Sequence, residues 1–187
     1  MYPYGRLALL MMSERRKPRL GLFETHHLDL RCLPQDLDGF WEMNNGRILT
    51  LYDLGRFALS IRMGLWDVLK REGWGLVVAG SSVRYRARIT GLQRFVLRTR
   101  LLGWDGRFFY IEQGMWRGAT CCNHALLRTG ITQKGRLTPV ADVARALGHA
   151  PVSPALPDWV TAWAEADLLR PWPPMADPGG ATPPSRP

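Results

Sequence analysis

Lysine is almost missing from this 187-residue chain: only Lys17, Lys70 and Lys134 stand among 25 basic residues, and the rest are arginine. A formal charge of +9 and an isoelectric point near 10.2 would ordinarily invite a nucleic-acid partner. Such one-sided use of arginine follows coding composition as readily as it marks a binding face, so no nucleic-acid partner is expected. Cysteine is scarce as well. Cys32, Cys121 and Cys122 are odd in number, and the adjacent pair does not bridge easily in an extended chain, so all three are expected as reduced packing residues. Neither C-x-x-C nor H-x(3-5)-H spacing occurs, which removes the usual zinc patterns, and no metal is expected. Long apolar runs are also lacking. The stretch Leu7 to Met12 falls far short of the ~18 to 20 residues a membrane span requires, and no small-residue cleavage motif follows it. Residues 1–22 are expected as a flexible leader, no membrane span is expected, and the location is expected to be cytoplasmic.

What remains is 46% hydrophobic, enough for one core of ordinary size. Residues 24–33 alternate, with His26, Leu28, Leu30 and Cys32 on one face and Thr25, His27, Asp29 and Arg31 on the other. That pattern is a half-buried strand, closed by Pro34. From Gly46 to Met63 the period becomes helical, and the polar positions Arg47, Thr50, Asp53, Arg56 and Ser60 form one narrow stripe. The rest of that helix is apolar, as befits one surrounded by a sheet. Pairing of Asp53 with Arg56 or Arg47 is expected. A short helical piece, WDVLKRE, ends at Gly73.

The period then changes to two. Strands are expected over residues 74–90, 93–102, 108–117 and 119–132, with Asp105-Gly106 as a hairpin turn. Neighbours in such a run pair as an antiparallel meander. Thr138-Pro139 opens a short helix over 140–147, and a last helix is expected over 158–169. Residues 171–187 are proline-rich and aperiodic, an expected disordered tail. One long apolar helix and one antiparallel sheet satisfy each other if the sheet curls around the helix. The expected architecture is α+β, a hotdog: a five-stranded antiparallel sheet around a central helix, in a domain over 23–170 with C-terminal accessory helices.

Between the first strand and the central helix the chain reads DLDGFWEMNN. Asp36-Leu37-Asp38 and Met43-Asn44-Asn45 resemble the outer parts of D-x-D-x-x-G-H-V-N-N, a pattern of hotdog acyl-CoA thioesterases of the 4-hydroxybenzoyl-CoA type. The run Leu33-Pro34-Gln35-Asp36-Leu37-Asp38, with Met43-Asn44-Asn45-Gly46-Arg47-Ile48-Leu49, is similar to that of the thioesterase superfamily member 6 group. So are Arg98 to Asp105 (RTRLLGWD) and Phe109 to Glu112 (FYIE). The resemblance covers residues 25–169.

It implies hydrolysis of an acyl-CoA or related acyl thioester, with coenzyme A as part of the substrate, no other cofactor, and a homodimer or homotetramer. Asp38 takes the position of the nucleophile or general base, and the backbone N–H of Asn45 that of the oxyanion donor. Trp41 and Glu42 stand where the broader pattern has Gly and His. Glu42 brings a second carboxylate near Asp38, able to assist the base. Asp36 is expected to be structural. Asn44 is expected as a helix cap and substrate contact. Arg84, Arg86 and Arg88, on one strand face, are candidates for coenzyme A phosphates. The alternative function is a non-catalytic acyl-thioester binding protein.

Overall fold

The computed structural model describes residues 2–171, 173 and 174. The expected proline-rich tail over 171–187 lies almost entirely outside the described residues. Contacts divide the chain into two units, residues 1–155 and 156–187. The separation follows the run Pro151, Pro154 and Pro157, where fixed backbone angles and missing N–H donors prevent regular pairing. Among its described residues the second unit carries one helix, α5 (Asp158–Leu168).

In the first unit the alternation of residues 24–33 becomes β1 (His26–Arg31), with His26 and Leu28 buried and His27, Asp29 and Arg31 exposed. A single 3-10 turn (Pro34–Asp36) leads to α2 (Asn45–Arg62), followed by α3 (Leu65–Glu72). The sheet then runs through β2 (Gly75–Tyr85), β3 (Arg94–Trp104), β4 (Phe109–Arg117) and β5 (Thr120–Gln133). A two-residue β6 (Arg136–Leu137) and α4 (Val140–Ala146) complete the unit. Strand order is β1-β3-β4-β5-β2, antiparallel throughout, and β6 adds a short pair to the end of β5. This is the expected hotdog with one extra short strand. Asp105 holds the β3–β4 hairpin by accepting from the N–H groups of Arg107 and Phe108 at 2.7 and 2.8 Å. The α4 helix opens after Pro139 without a side-chain cap, so Thr138 does not cap it.

Residues from β1, β3, β4 and β5 close around α2 in one core: Leu28, Phe95, Leu97, Met115 and Ala125 pack with Leu51, Tyr52 and Leu54. The expected polar stripe does not reach solvent throughout, for Arg56 and Ser60 are buried. Arg56 donates to Asp53 and to Gln113, each at 2.9 Å, and Gln113 donates to the Tyr52 carbonyl and to Thr99, again at 2.9 Å. This bonded chain pairs both terminal nitrogens of Arg56 and the Gln113 amide between helix and sheet, while Arg56 Nε is left without a partner among the described residues. The helix comes so near at Gly55 that a Cβ there would lie 2.7 Å from both Leu97 Cδ2 and Thr99 Oγ1.

The expected flexible leader is instead ordered. Residues Tyr4–Glu14 form α1, which packs on α2 through Leu7 and Leu10. Polar bonds from Tyr2, Arg6 and Glu14 fasten it. Tyr2 donates its hydroxyl proton to Asp53, Arg6 pairs with buried Asp36 at 2.9 Å, and buried Glu14 receives His26 at 3.0 Å, Lys17 at 2.6 Å and Arg62 at 3.2 Å. Each partner lies at least a dozen residues away except Lys17, so local composition could not reveal the docking.

Burial alone would push the Glu14 carboxyl up, but the hydrogen bonds from Lys17, His26 and Arg62 outweigh it and hold it below its ordinary value. Burial holds the His26 imidazole below its ordinary value, against the opposing pull of Glu14. Its Nδ1 has no partner among the described residues, so protonation there would leave a buried N–H unmet.

Two expectations follow. Gly55→Ala gains helix propensity but overpacks three fully buried side chains, and should lower unfolding free energy by about 1–3 kcal/mol in urea titration. An unchanged midpoint would mean the helix does not sit this close. For α1, both depressed groups bind protons more readily unfolded than folded. Its docking should weaken as pH falls below ~6.5, and further below ~4.3. Amide exchange of residues 7–14, corrected for intrinsic rates, should accelerate relative to α2 in that window. Flat protection from pH 7 to pH 5 would exclude the His26 contribution.

Candidate active site

Asn44 caps α2: its side-chain oxygen accepts from Gly46 N–H at 2.8 Å and Arg47 N–H at 3.3 Å, and its carbonyl receives Ile48 N–H at 2.9 Å. Asn44 N–H in turn donates to the Asp36 carbonyl. Among the described residues, the Asn45 N–H is the one donor of this first turn left without an acceptor. A helix start with one unspent N–H attracts negative charge. Asp36 fixes this end of the helix. It is 1% exposed, accepts from Leu33 N–H at 2.9 Å, and pairs with Arg6 and with Arg47 Nε at 3.2 Å. Its expected structural role is what the structure shows.

A cavity of about 210 Å³ opens at this helix end, between Glu42, Asn45 and Ile48 on one side and Tyr85, Arg86 and Asn123 on the other. Asp38, the carboxylate singled out in the motif, is not among its lining residues. Its Oδ1 instead accepts from Phe40 N–H at 2.8 Å, a turn bond of the kind Asp favours. Asp38 N–H donates to the Glu42 carbonyl at 2.9 Å, and its own carbonyl accepts from Trp41 N–H at 3.1 Å. The chain reverses within residues 38–42, and that reversal turns Glu42 to the cavity.

Trp41 sits in the turn with φ +60°, a left-handed conformation unusual for a bulky residue. Glycine adopts this conformation freely, which explains the glycine of the broader pattern here. Trp41 takes it at a cost on the order of 1–3 kcal/mol.

Glu42 pairs with Arg88 Nε at 2.8 Å. Arg88 is 80% exposed, so the pair contributes little to stability and the guanidinium can exchange partners. The three arginines do not share one strand face as expected. The sheet pairing of β2 ends at Tyr85, and the N–H groups of Arg86 and Ala87 both turn to the Cys122 carbonyl, at 2.8 and 2.9 Å. Arg86 and Arg88 thereby reach the cavity, while Arg84 stays exposed on β2 away from its lining. Asn44 lines a separate cavity of about 390 Å³, with Tyr2, Gln35 and Arg47. Its oxygen is committed to the cap.

Asn123 and Tyr52 were not singled out in the sequence. Tyr52, fully buried on α2, donates its hydroxyl proton to the Asn123 side-chain oxygen, and this orients the amide at the cavity wall. The available signal was an amide on the inward course of β5, where packing residues belong. Tyr52→Phe should leave that buried oxygen unmet and cost about 1–3 kcal/mol. A thermal melt unchanged from wild type would show that the amide finds another donor.

A family model described as the thioesterase-like superfamily matches residues 32–164. Protein THEM6 of Xenopus laevis is 39% identical over 107 residues, covering 57% of this chain and 52% of that protein. Protein THEM6 of Danio rerio is 39% identical over 83 residues, 44% of this chain and 41% of that protein. The chain thus spans about half the length of these relatives or less.

Among solved structures, the probable thioesterase YbaW from Escherichia coli superposes with a TM-score of 0.60 at 13% identity, over 65% of this chain and 95% of that one. The protein SAV2348 from Staphylococcus aureus, solved in complex with CoA, superposes with a TM-score of 0.60 at 9% identity, over 76% and 95%. At these identities the likeness is one of fold. The match over most of the sequence decides the family: the chain belongs to the thioesterase-like superfamily.

Proposed function

We propose that the protein hydrolyses an acyl-coenzyme A or a related acyl thioester to free acid and thiol. The observation that carries this reading is the unspent Asn45 N–H, at a cavity that also receives the Glu42 carboxylate. The thioester carbonyl oxygen would accept from Asn45 N–H, which favours the charge that grows on it as the carbonyl carbon becomes tetrahedral. Glu42 would take a proton from the attacking water, and return it to the departing sulfur when the C–S bond breaks. Asp38 shapes the loop that aims Glu42. Arg86 and Arg88, at the cavity, would meet coenzyme A phosphates, with Arg88 released from Glu42 as it does so. This route uses no metal or redox cofactor.

The cavity of one protomer, about 210 Å³, is smaller than the ~300–1,000 Å³ usual for ligand sites. Next to it runs β2, an edge strand of eleven residues with Val77 and Val78 exposed. Edges this long are seldom left bare. A homodimer joined along β2 would cover the edge and enlarge the cavity, and a homotetramer could follow from two such dimers.

Turnover of an acyl-CoA panel by purified wild type, Glu42→Gln and Asp38→Asn tests the assignment. Glu42→Gln should lower kcat by about 10²–10⁴-fold. Asp38→Asn keeps an oxygen for the Phe40 N–H and should stay within a few-fold of wild type. The reverse pattern would make Asp38 the base. Tight acyl-CoA binding without turnover by wild type would favour a non-catalytic acyl-thioester binding protein instead.

A further inference from the structure

The inward side of α1 is occupied by Leu7, Leu10 and Glu14. At 3.6 residues per turn, Ala8, Leu9 and Met12 fall on the opposite side, and Tyr4 lies on the flank one turn before Ala8. All four are exposed, Tyr4 by 71%, Leu9 by 66% and Met12 by 55%. Single exposed apolar residues need no explanation, but Ala8, Leu9 and Met12 on one face of an eleven-residue helix, with Tyr4 at its edge, make a continuous stripe. Arg15 and Arg16 follow Met12 by three and four residues, and Arg15 keeps helical backbone angles, so the two cations extend the same stripe. Lys17 and Arg19 are engaged with Glu14 and Asp67, each at 2.6 Å. Arg15 and Arg16 are exposed and have no acidic partner among the described residues. The one acidic residue of α1, Glu14, faces inward.

An apolar stripe ending in unpaired positive charge calls for a partner that is apolar and negative. A second copy of the same face would bring arginines toward arginines with no carboxylate to meet them. We propose that this face of α1 docks the protein peripherally on an anionic phospholipid surface. Tyr4, Leu9 and Met12 would enter the boundary between headgroups and acyl chains, while Arg15 and Arg16 meet lipid phosphates. The helix lies along the surface and does not cross it. Among the described residues no helix is long and apolar enough to span a membrane. The bonds of Tyr2, Arg6 and Glu14 to the rest of the first unit hold the stripe outward, so docking needs no unfolding.

The test is flotation of the full chain with vesicles of phosphatidylcholine alone or mixed with phosphatidylglycerol. Wild type should float with the mixed vesicles and not with the neutral ones, and high salt should release it. The pair Leu9→Glu with Met12→Glu should abolish flotation. Arg15→Gln with Arg16→Gln should weaken vesicle partition by about 30-fold. These positions are exposed, so melting temperatures should match wild type. The proposal is overturned if wild type stays unbound by the mixed vesicles or if both variant pairs bind as wild type does. It is also overturned if Leu9→Glu with Met12→Glu changes the molar mass in light scattering, which would make a second copy the occupant. None of these readouts depends on thioester turnover.

Discussion

The close approach of α2 to the middle of the sheet is the constraint on which the other features of the first unit depend. Gly55 lets the helix backbone sit against Leu97, Thr99 and Gln113, and no residue with a side chain fits there without displacing them. At that distance Arg56 is enclosed, and the Asp53–Arg56–Gln113 chain becomes necessary to pair its two terminal nitrogens. The same approach brings Tyr52 to Asn123, and it sets the height of the helix end above β5.

From that placement the site follows. Asn44 satisfies two of the first-turn N–H groups, and Asp36 holds the cap from behind through its own backbone and two arginines. One N–H remains, at the place where the loop 38–42 presents a carboxylate. The strained Trp41 and the neighbouring exposed Phe40 show that this loop is not shaped by local preference. Its backbone bonds to the helix entry and to the 86–90 segment outweigh the strain, since Met43 N–H donates to the Ile89 carbonyl at 2.7 Å.

Burial of charge is handled in two ways. Glu14 and Asp36 are deeply buried, and each has at least two cationic partners, the condition under which a buried carboxylate is tolerable. Glu42 is partly exposed, and its one ion-pair partner among the described residues, Arg88, is largely exposed. The difference separates two carboxylates that hold the structure from the one that lines the cavity at the start of α2.

The helix over 46–63, the alternating strands and the Asp105 hairpin were all legible in the sequence, because periods of 3.6 and 2 and a turn dipeptide are properties of a few consecutive residues. The residues Asn44 and Asn45 before the apolar period likewise marked the start of α2, where Asn44 is the cap; the donor role of Asn45 is what the resemblance of DLDGFWEMNN implies. Tertiary structure alone decided that Glu42, not Asp38, lines the cavity, because the direction of each side chain depends on how the 38–42 turn is bonded to neighbours. It alone placed Asn123 at the wall and separated Arg84 from Arg86 and Arg88. It alone ordered α1, whose partners Asp53, Asp36, His26 and Arg62 are scattered along the chain. Local pattern fixes which face of an element is apolar; which polar atoms are left over, and what they meet, is settled when distant segments pack together.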